Sequence, residues 1–398
     1  MNPIYETYLQ IIRGACTGEA YSGKLSLKEE SELAALAQRH FTEPFLHPYI
    51  KGPALSVVKS RTKSMMDHYY QIEHFTEKTV ELLEKEGIAC FLLKGISLAA
   101  YYPMPEQRKL GDIDLYVRTP EELEKAKKIL ETWGYKQKEE VSDHHLSYTY
   151  TFPKTGRTYI LELHFCIVGR YQYKRANQVI EEVYHTPKLK SSFQIVGERS
   201  YRVLPPTEYT FYMVHHMLRH YLYSGFGIRL LCDFTLYLKK HEKEINFQQV
   251  HKWCMESRIF HLYEIILESC RVWLGLQDSI DKDIHYNLEA CSSFMEKVLA
   301  DGDIGLSDGS ALVNGSSYEK VNFLTYLKEG HLQMKVRFPK LSRYPFLWLV
   351  LWPVTFICFL HNTYHLRKTT FRQTLADFRQ QNHATQITPI FDNSRDDR

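Results

Sequence analysis

Apolar residues recur at helical spacing from the first residues of the chain. "NPIYETYLQII" has them three and four apart, and Ser26 with Glu29 forms a capping box ahead of "LAALAQ". A longer helical pattern runs from Leu55 to the "KEG" that ends at Gly87. There the period changes. "IACFLLK" (Ile88 to Lys94) reads as a short apolar strand, "ISLAAYY" as a helix and "DIDLYV" as a strand. "TPEELEKAKKILETWG" reads as a helix opened by Thr119, with Pro120 at its first position. "SYTYTF" and "RTYILELHF" alternate as strands around the turn "PKTG", and the sheet is expected to continue through "SFQIVGERSYRVL" to Leu204. After Pro205 and Pro206 the pattern is helical almost to the end, broken by the Gly/Asp/Ser-rich stretch near 301–315.

The pattern predicts an α+β protein in four parts. A helical region (1–87) precedes a small sheet domain (88–204), a helical C-terminal domain (205–380) and a polar, mobile tail (381–398). The 398 residues suffice for two or three domains, and 44% apolar residues can fill a substantial core. The 50 basic and 47 acidic residues nearly cancel, so there is no general field for nucleic acid and DNA is not an expected partner. The eight cysteines include no C-x-x-C pair and read as buried thiols of a reducing cytoplasm. The N-terminus lacks the pattern of an export signal, so the expected location is cytoplasmic.

One segment complicates that picture. "FLWLVLWPVTFICFL", residues 346–360, is uncharged but shorter than the ~20 residues that span a bilayer, and Pro353 interrupts it. Lys335, Arg337, Lys340 and Arg343 precede it and Arg367 and Lys368 follow, which would suit peripheral contact with an anionic lipid surface. Burial in the C-terminal core is the preferred expectation, because segments this short are more often core.

The candidate chemistry lies in "RKLGDIDLYV". In a strand, residues i and i+2 share a face about 6.6 Å apart, so Asp112 and Asp114 project together while Ile113 and Leu115 enter the core. Two such carboxylates repel unless a cation sits between them, and hard oxygen ligands suit Mg²⁺ or Mn²⁺. In "YILELHF" the same alternation puts Glu162 and His164 on one face. Glu162 is the natural third acid, with His164 as outer-shell partner, substrate contact or proton acceptor, or else a polar residue on an exposed edge. Upstream, Gly95 joins a strand to a helix, where backbone N–H groups, Lys94 and Ser97 could meet a triphosphate. Arg108, four residues before Asp112, could take a phosphate bidentately or be a solvated loop arginine.

Lys94-Gly95, Arg108, "GDIDLYV" and, about 48 residues later, "LELHF" resemble the uncharacterised nucleotidyltransferase family of the DNA polymerase β-like superfamily. "LPPTEYTFYMVHHMLRH", "GIRLLCDF" and "FPKLSRYPFLWLVLWP" resemble the family's helical half, so the likeness runs from about 88 to 365. It implies a small mixed-sheet nucleotidyltransferase core with helical flanks. It further implies transfer of a nucleoside monophosphate from an NTP to an acceptor, with pyrophosphate leaving. Asp112, Asp114 and Glu162 would ligate two Mg²⁺ or Mn²⁺ ions, with Glu162 on the ion that activates the acceptor hydroxyl, and Gly95 with its neighbours would cradle the phosphates. The superfamily usually follows the glycine with Gly or Ser; here Ile96 stands there, which leaves the hydroxyl contact to Ser97.

His216 and His220 are i and i+4 on one predicted helix face and could reach the acceptor side of the site, whereas zinc bound by "HHMLRH" is disfavoured, since spacing fixes no third ligand. Arg229 and Asp233 read as an intrahelical ion pair. Two further readings compete: a nucleotide-sugar glycosyltransferase using the D-x-D, and a degenerate transferase fold serving as a binding or membrane-surface module. The acceptor stays open among a protein hydroxyl, an RNA end, a sugar and a small molecule.

Overall fold

The computed structural model describes residues 1–139, 142–171, 173–223, 226–303, 323–338 and 340–360. The expected tail (381–398), Arg367, Lys368 and most of the 301–315 stretch lie outside the described residues.

The N-terminal part is α1 (Pro3–Thr17), α2 (Leu27–His40), α3 (Glu43–Leu46) and α4 (Leu55–Lys85). Asn2 caps α1, and the reciprocal Ser26–Glu29 capping box opens α2 as its sequence requires. Next come β1 (Phe91–Leu92), α5 (Ile96–Ala99), β2 (Ile113–Tyr116), α6 (Pro120–Thr132), β3 (Lys136–Gln137), β4 (His145–Thr151) and β5 (Thr158–His164). Helix α7 (Lys174–Tyr184), β6 (Ser192–Val196) and β7 (Arg199–Val203) lead to α8 (Pro206–Tyr223) and α9 (Ile228–His241). The rest is α10 (Phe247–Glu256), α11 (Phe260–Leu274), α12 (Leu288–Asp301), α13 (Phe323–Arg337) and α14 (Trp348–Leu360). Thr119 and Glu122 close a second capping box on α6, with Pro120 at its first position.

Five strands form one mixed sheet in the order β1-β2-β5-β4-β3, parallel between β2 and β5 and antiparallel elsewhere. The fold is therefore α+β around a small mixed sheet. Strands β6 and β7 do not extend this sheet as expected; they pair with each other through a turn at Gly197, where φ is +59°. With only two residues, β1 offers too short an edge for a further ladder, and the hairpin packs Val196, Tyr201 and Val203 onto the sheet core instead.

Alternation along β2 and β5 sorts the side chains. Ile113, Leu115, Leu161 and Leu163 point into a core closed by Phe75 and Val80 of α4 and Ala126 and Leu130 of α6. The opposite face, carrying Asp114, Glu162 and His164, turns toward the helical half. There α1 and α2 share one core with α8 to α12, through residues such as Tyr8, Leu33, Phe211, Leu231, Tyr263 and Phe294.

Helix α14 corrects the expectation of a core helix. Leu351 and Thr355 are buried on the side toward α13, but Phe346, Leu349, Val350 and Ile357 are 71%, 84%, 63% and 64% exposed. No helix among the described residues is long and apolar enough to cross a membrane. All eight cysteines are free thiols, six of them buried.

Candidate active site

The polar face of the sheet is the floor of a cavity of about 740 Å³, within the usual range for small-molecule sites. Asp112, Asp114, Glu162, His164, Lys94 and Gly95 line it from the sheet side, while Tyr212, His216, Arg219 and His220 of α8 and Arg229 of α9 cover it.

Parallel pairing sets Asp114 directly beside Glu162, and β4 adds Ser147 opposite Glu162 and His145 opposite His164. Asp112, just before β2, lines the same cavity. Asp114 is 1% exposed, so its charge must be met by neighbours. Lys94 Nζ lies 3.0 Å from Asp114 Oδ1 and His164 Nε2 lies 3.1 Å from the same oxygen. His164 Nε2 is also 3.5 Å from Glu162 Oε2. Burial alone would depress the Lys94 ammonium, but Asp114 and then Asp112 outweigh it and hold its pKa well above the ordinary value. For His164, burial is likewise opposed by the bonds to Asp114 and Glu162, and its pKa rises to about 9, so the ring is an imidazolium at neutral pH. Burial pushes the Glu162 carboxyl up, yet the His164 bond and the Lys94 charge leave it below its usual value.

These residues fit a divalent cation. Ligand atoms of Asp114, Glu162 and His164 all lie within 4.8 Å of one another, and Asp114 Oδ2 is a buried oxygen with no donor. Asp112 stands outside that tight group, on the same cavity wall.

Gly95 lines the cavity with φ +77° and ψ −119°, a conformation that a side chain would strain. Ser97 is 1% exposed and does not reach the cavity wall; its carbonyl accepts from Gln194 Nε2 at 2.7 Å. Arg108 lines the same cavity and is not a solvated loop residue. It is 3% exposed and donates from Nε and Nη2 to the two oxygens of Asp233, each at 2.7 Å. Asp233 accepts as well from the Tyr102 hydroxyl at 2.8 Å. The expected Arg229–Asp233 pair is therefore absent: Arg229 meets Asp303 at 3.1 Å, because a desolvated bidentate partner outcompetes an i,i+4 contact.

His216 and His220 both line the cavity, their ring centroids 4.4 Å apart. Burial drives both below the ordinary histidine value, His220 to about 3, so both are neutral. His215 turns the other way, into the core, with Nδ1 3.1 Å from the Tyr171 hydroxyl. Sequence reasoning missed His144, His145, Lys109 and Arg219, all on the cavity wall. The only local signal was the "DHH" at the head of β4.

Residues 25–275 match the profile of a family described as "Uncharacterised nucleotidyltransferase". A crystal structure of an antigenic nucleotidyltransferase-like protein from Paracoccidioides brasiliensis aligns at 13% identity over 53% of this chain and 95% of its own, with a TM-score of 0.34. No curated protein matches the chain.

Proposed function

The chain belongs to the uncharacterised nucleotidyltransferase family, and from that premise we propose that it is a metal-dependent enzyme moving a nucleoside monophosphate from an NTP to an acceptor hydroxyl or phosphate. The observation that carries this reading is the register pairing of Asp114 with Glu162 in a cavity also lined by Asp112. Divalent cations, Mg²⁺ or Mn²⁺, supply Lewis-acid neutralisation of the phosphates when bound. Asp112, Asp114 and Glu162 are the residues that would hold them.

The remaining roles belong to the chain itself. Lys94 carries a positive charge beside the acids, where the triphosphate would lie. Gly95 supplies the positive-φ joint between β1 and α5, a conformation that a side chain would strain. Arg108 positions the segment between α5 and β2 through Asp233, and its Nη1 also donates to the Gly95 carbonyl at 3.4 Å. His164 orients Asp114 and Glu162, and neutral His216 and His220 offer contacts to an acceptor. In the transfer, the acceptor oxygen forms a bond to the α-phosphorus, the bridging bond to the β-phosphate breaks, pyrophosphate leaves and the acceptor proton passes to solvent or a base.

A thermal-shift titration with ATP, GTP, CTP and UTP, each with and without Mn²⁺ or Mg²⁺, tests the reading. A metal-dependent rise with one NTP is expected, about 2.7 kcal/mol at 100 times its Kd, and its loss in Asp112→Asn/Asp114→Asn. No shift with any NTP, or an undiminished shift in the double variant, would overturn it.

A second reading concerns location. The bare face of α14 is uncharged, and exposed Lys335, Arg337, Lys340 and Arg343 precede it, a combination that supports docking on an anionic lipid surface. At 13 residues α14 is about 20 Å long, too short to cross. Flotation with phosphatidylserine vesicles, lost in Leu349→Asp/Ile357→Asp, is expected; protein that stays at the bottom of the gradient removes the reading.

A further inference from the structure

On the cavity wall three histidines meet. His144 and His145 enter β4, and His164 ends β5 directly opposite His145. Their ring centroids are 4.4, 5.6 and 5.2 Å apart, and one ring nitrogen of each lies within 4.8 Å of the others. Bonds of about 2.0–2.1 Å to a central ion would close that spacing after small ring rotations.

The partners of the Nδ1 atoms hold the three rings in place. Nδ1 of His144 is 2.9 Å from the carboxylate of Asp143, which the Arg170 N–H holds at 2.7 Å. Nδ1 of His145 is 3.3 Å from the Ser142 hydroxyl, and Nδ1 of His164 is 3.4 Å from the Cys166 carbonyl. Outer contacts of this kind hold the rings of metal-bound histidines in place, and at His164 the ion would replace the proton that Nε2 shares with Asp114 and Glu162. Glu162 Oε1, 3.7 Å from His145 Nε2, is near enough to add an oxygen donor.

We propose that His144, His145 and His164 form a transition-metal site of the Zn²⁺ class, with Glu162 beside it and Asp143 as its outer support. Imidazole nitrogens select zinc-like ions over Mg²⁺, so its preference differs from that of the Asp112–Asp114 oxygens. The site stands on the rings and their partners and does not depend on nucleotidyl transfer.

The test is a Co²⁺ titration of the full chain after chelator treatment, followed by visible ligand-field absorption. One equivalent should bind with strong bands that Zn²⁺ abolishes and excess Mg²⁺ leaves in place. His144→Gln/His145→Gln should lose the bands, and Asp143→Asn should weaken binding by about 10–100-fold while circular dichroism shows the fold retained. Asp112→Asn should keep Co²⁺ binding in full, which separates this site from the nucleotide reading. Absence of bands, bands unchanged in the histidine and Asp143 variants, or displacement by Mg²⁺ would each overturn the assignment.

Discussion

Arg108 and Asp233 offer the sharpest test of how the cavity is built. They are 3% and 2% exposed and joined by two bonds of 2.7 Å, so removing either one leaves a charge in a desolvated site, at a cost of about 3–5 kcal/mol. The two deletions differ. Asp233→Ala strands a guanidinium that cannot lose its proton and also removes the acceptor of the Tyr102 hydroxyl, which adds about 1–3 kcal/mol. Arg108→Ala strands a carboxylate, which can shed its charge by taking up a proton.

Urea unfolding of the wild type, both single variants and the double variant, at pH 7.5 and 5.5, reads these quantities. Asp233→Ala should be the more damaging change, the double should cost well under the sum, and only the Arg108→Ala deficit should shrink at the lower pH. If Arg108→Ala instead unfolds within about 1 kcal/mol of wild type while nucleotide affinity falls tenfold or more, the guanidinium serves the ligand and the structural assignment fails.

Lys94→Met should lower metal-free stability by about 1–3 kcal/mol, because buried Asp114 loses its ammonium partner, and should enlarge the thermal shift given by Mn²⁺; a shift equal to that of wild type contradicts this. Gly95→Ala should cost about 1–3 kcal/mol in urea through backbone strain alone, since an added Cβ would come no nearer than 3.8 Å to its closest neighbour, the Asp112 carbonyl. His40, buried between Leu299 O and Ile228 N, has its pKa lowered to about 4 by burial. The unfolded chain therefore takes up the proton first as pH falls below the ordinary value of about 6.5, and stability that is complete above that value drops by about 2 kcal/mol at pH 5. His40→Asn should unfold with a correspondingly flatter pH profile between 7.5 and 5; an unchanged slope would exclude His40 as the source.

What the sequence revealed and what it concealed divide by range. Alternation in "DIDLYV" and "YILELHF" is local, so it told correctly which residues face the core and which share the polar face. The capping boxes at Ser26 and Thr119 are local for the same reason. Arg108 and Asp233 are 125 residues apart, and nothing near either one marks the other as its partner. His144 and His145 look like polar residues at a strand entrance, and only the antiparallel register of β4 on β5 brings them to His164. The apolar run of α14 has the same composition whether it is buried or bare, and its surroundings decide which.

The acids themselves need a different justification from the one their spacing suggests. On spacing alone, Asp112, Asp114 and Glu162 repel and call for a bound cation. In the folded chain, Lys94 and the imidazolium of His164 already answer two of those three charges, so the cluster carries a net charge near −1 and survives without any ion. The charges of the three acids therefore do not by themselves require an ion. The stronger support for metal binding is a single atom. Asp114 Oδ1 holds both resident cations while Oδ2, equally buried, has no donor, and a buried acceptor left so costs about 1–3 kcal/mol that a second neighbouring hydroxyl or amide would have removed. An oxygen kept unsatisfied beside a cavity lined by Glu162 and Asp112 is the feature of this fold that a divalent ion would explain and resident cations do not.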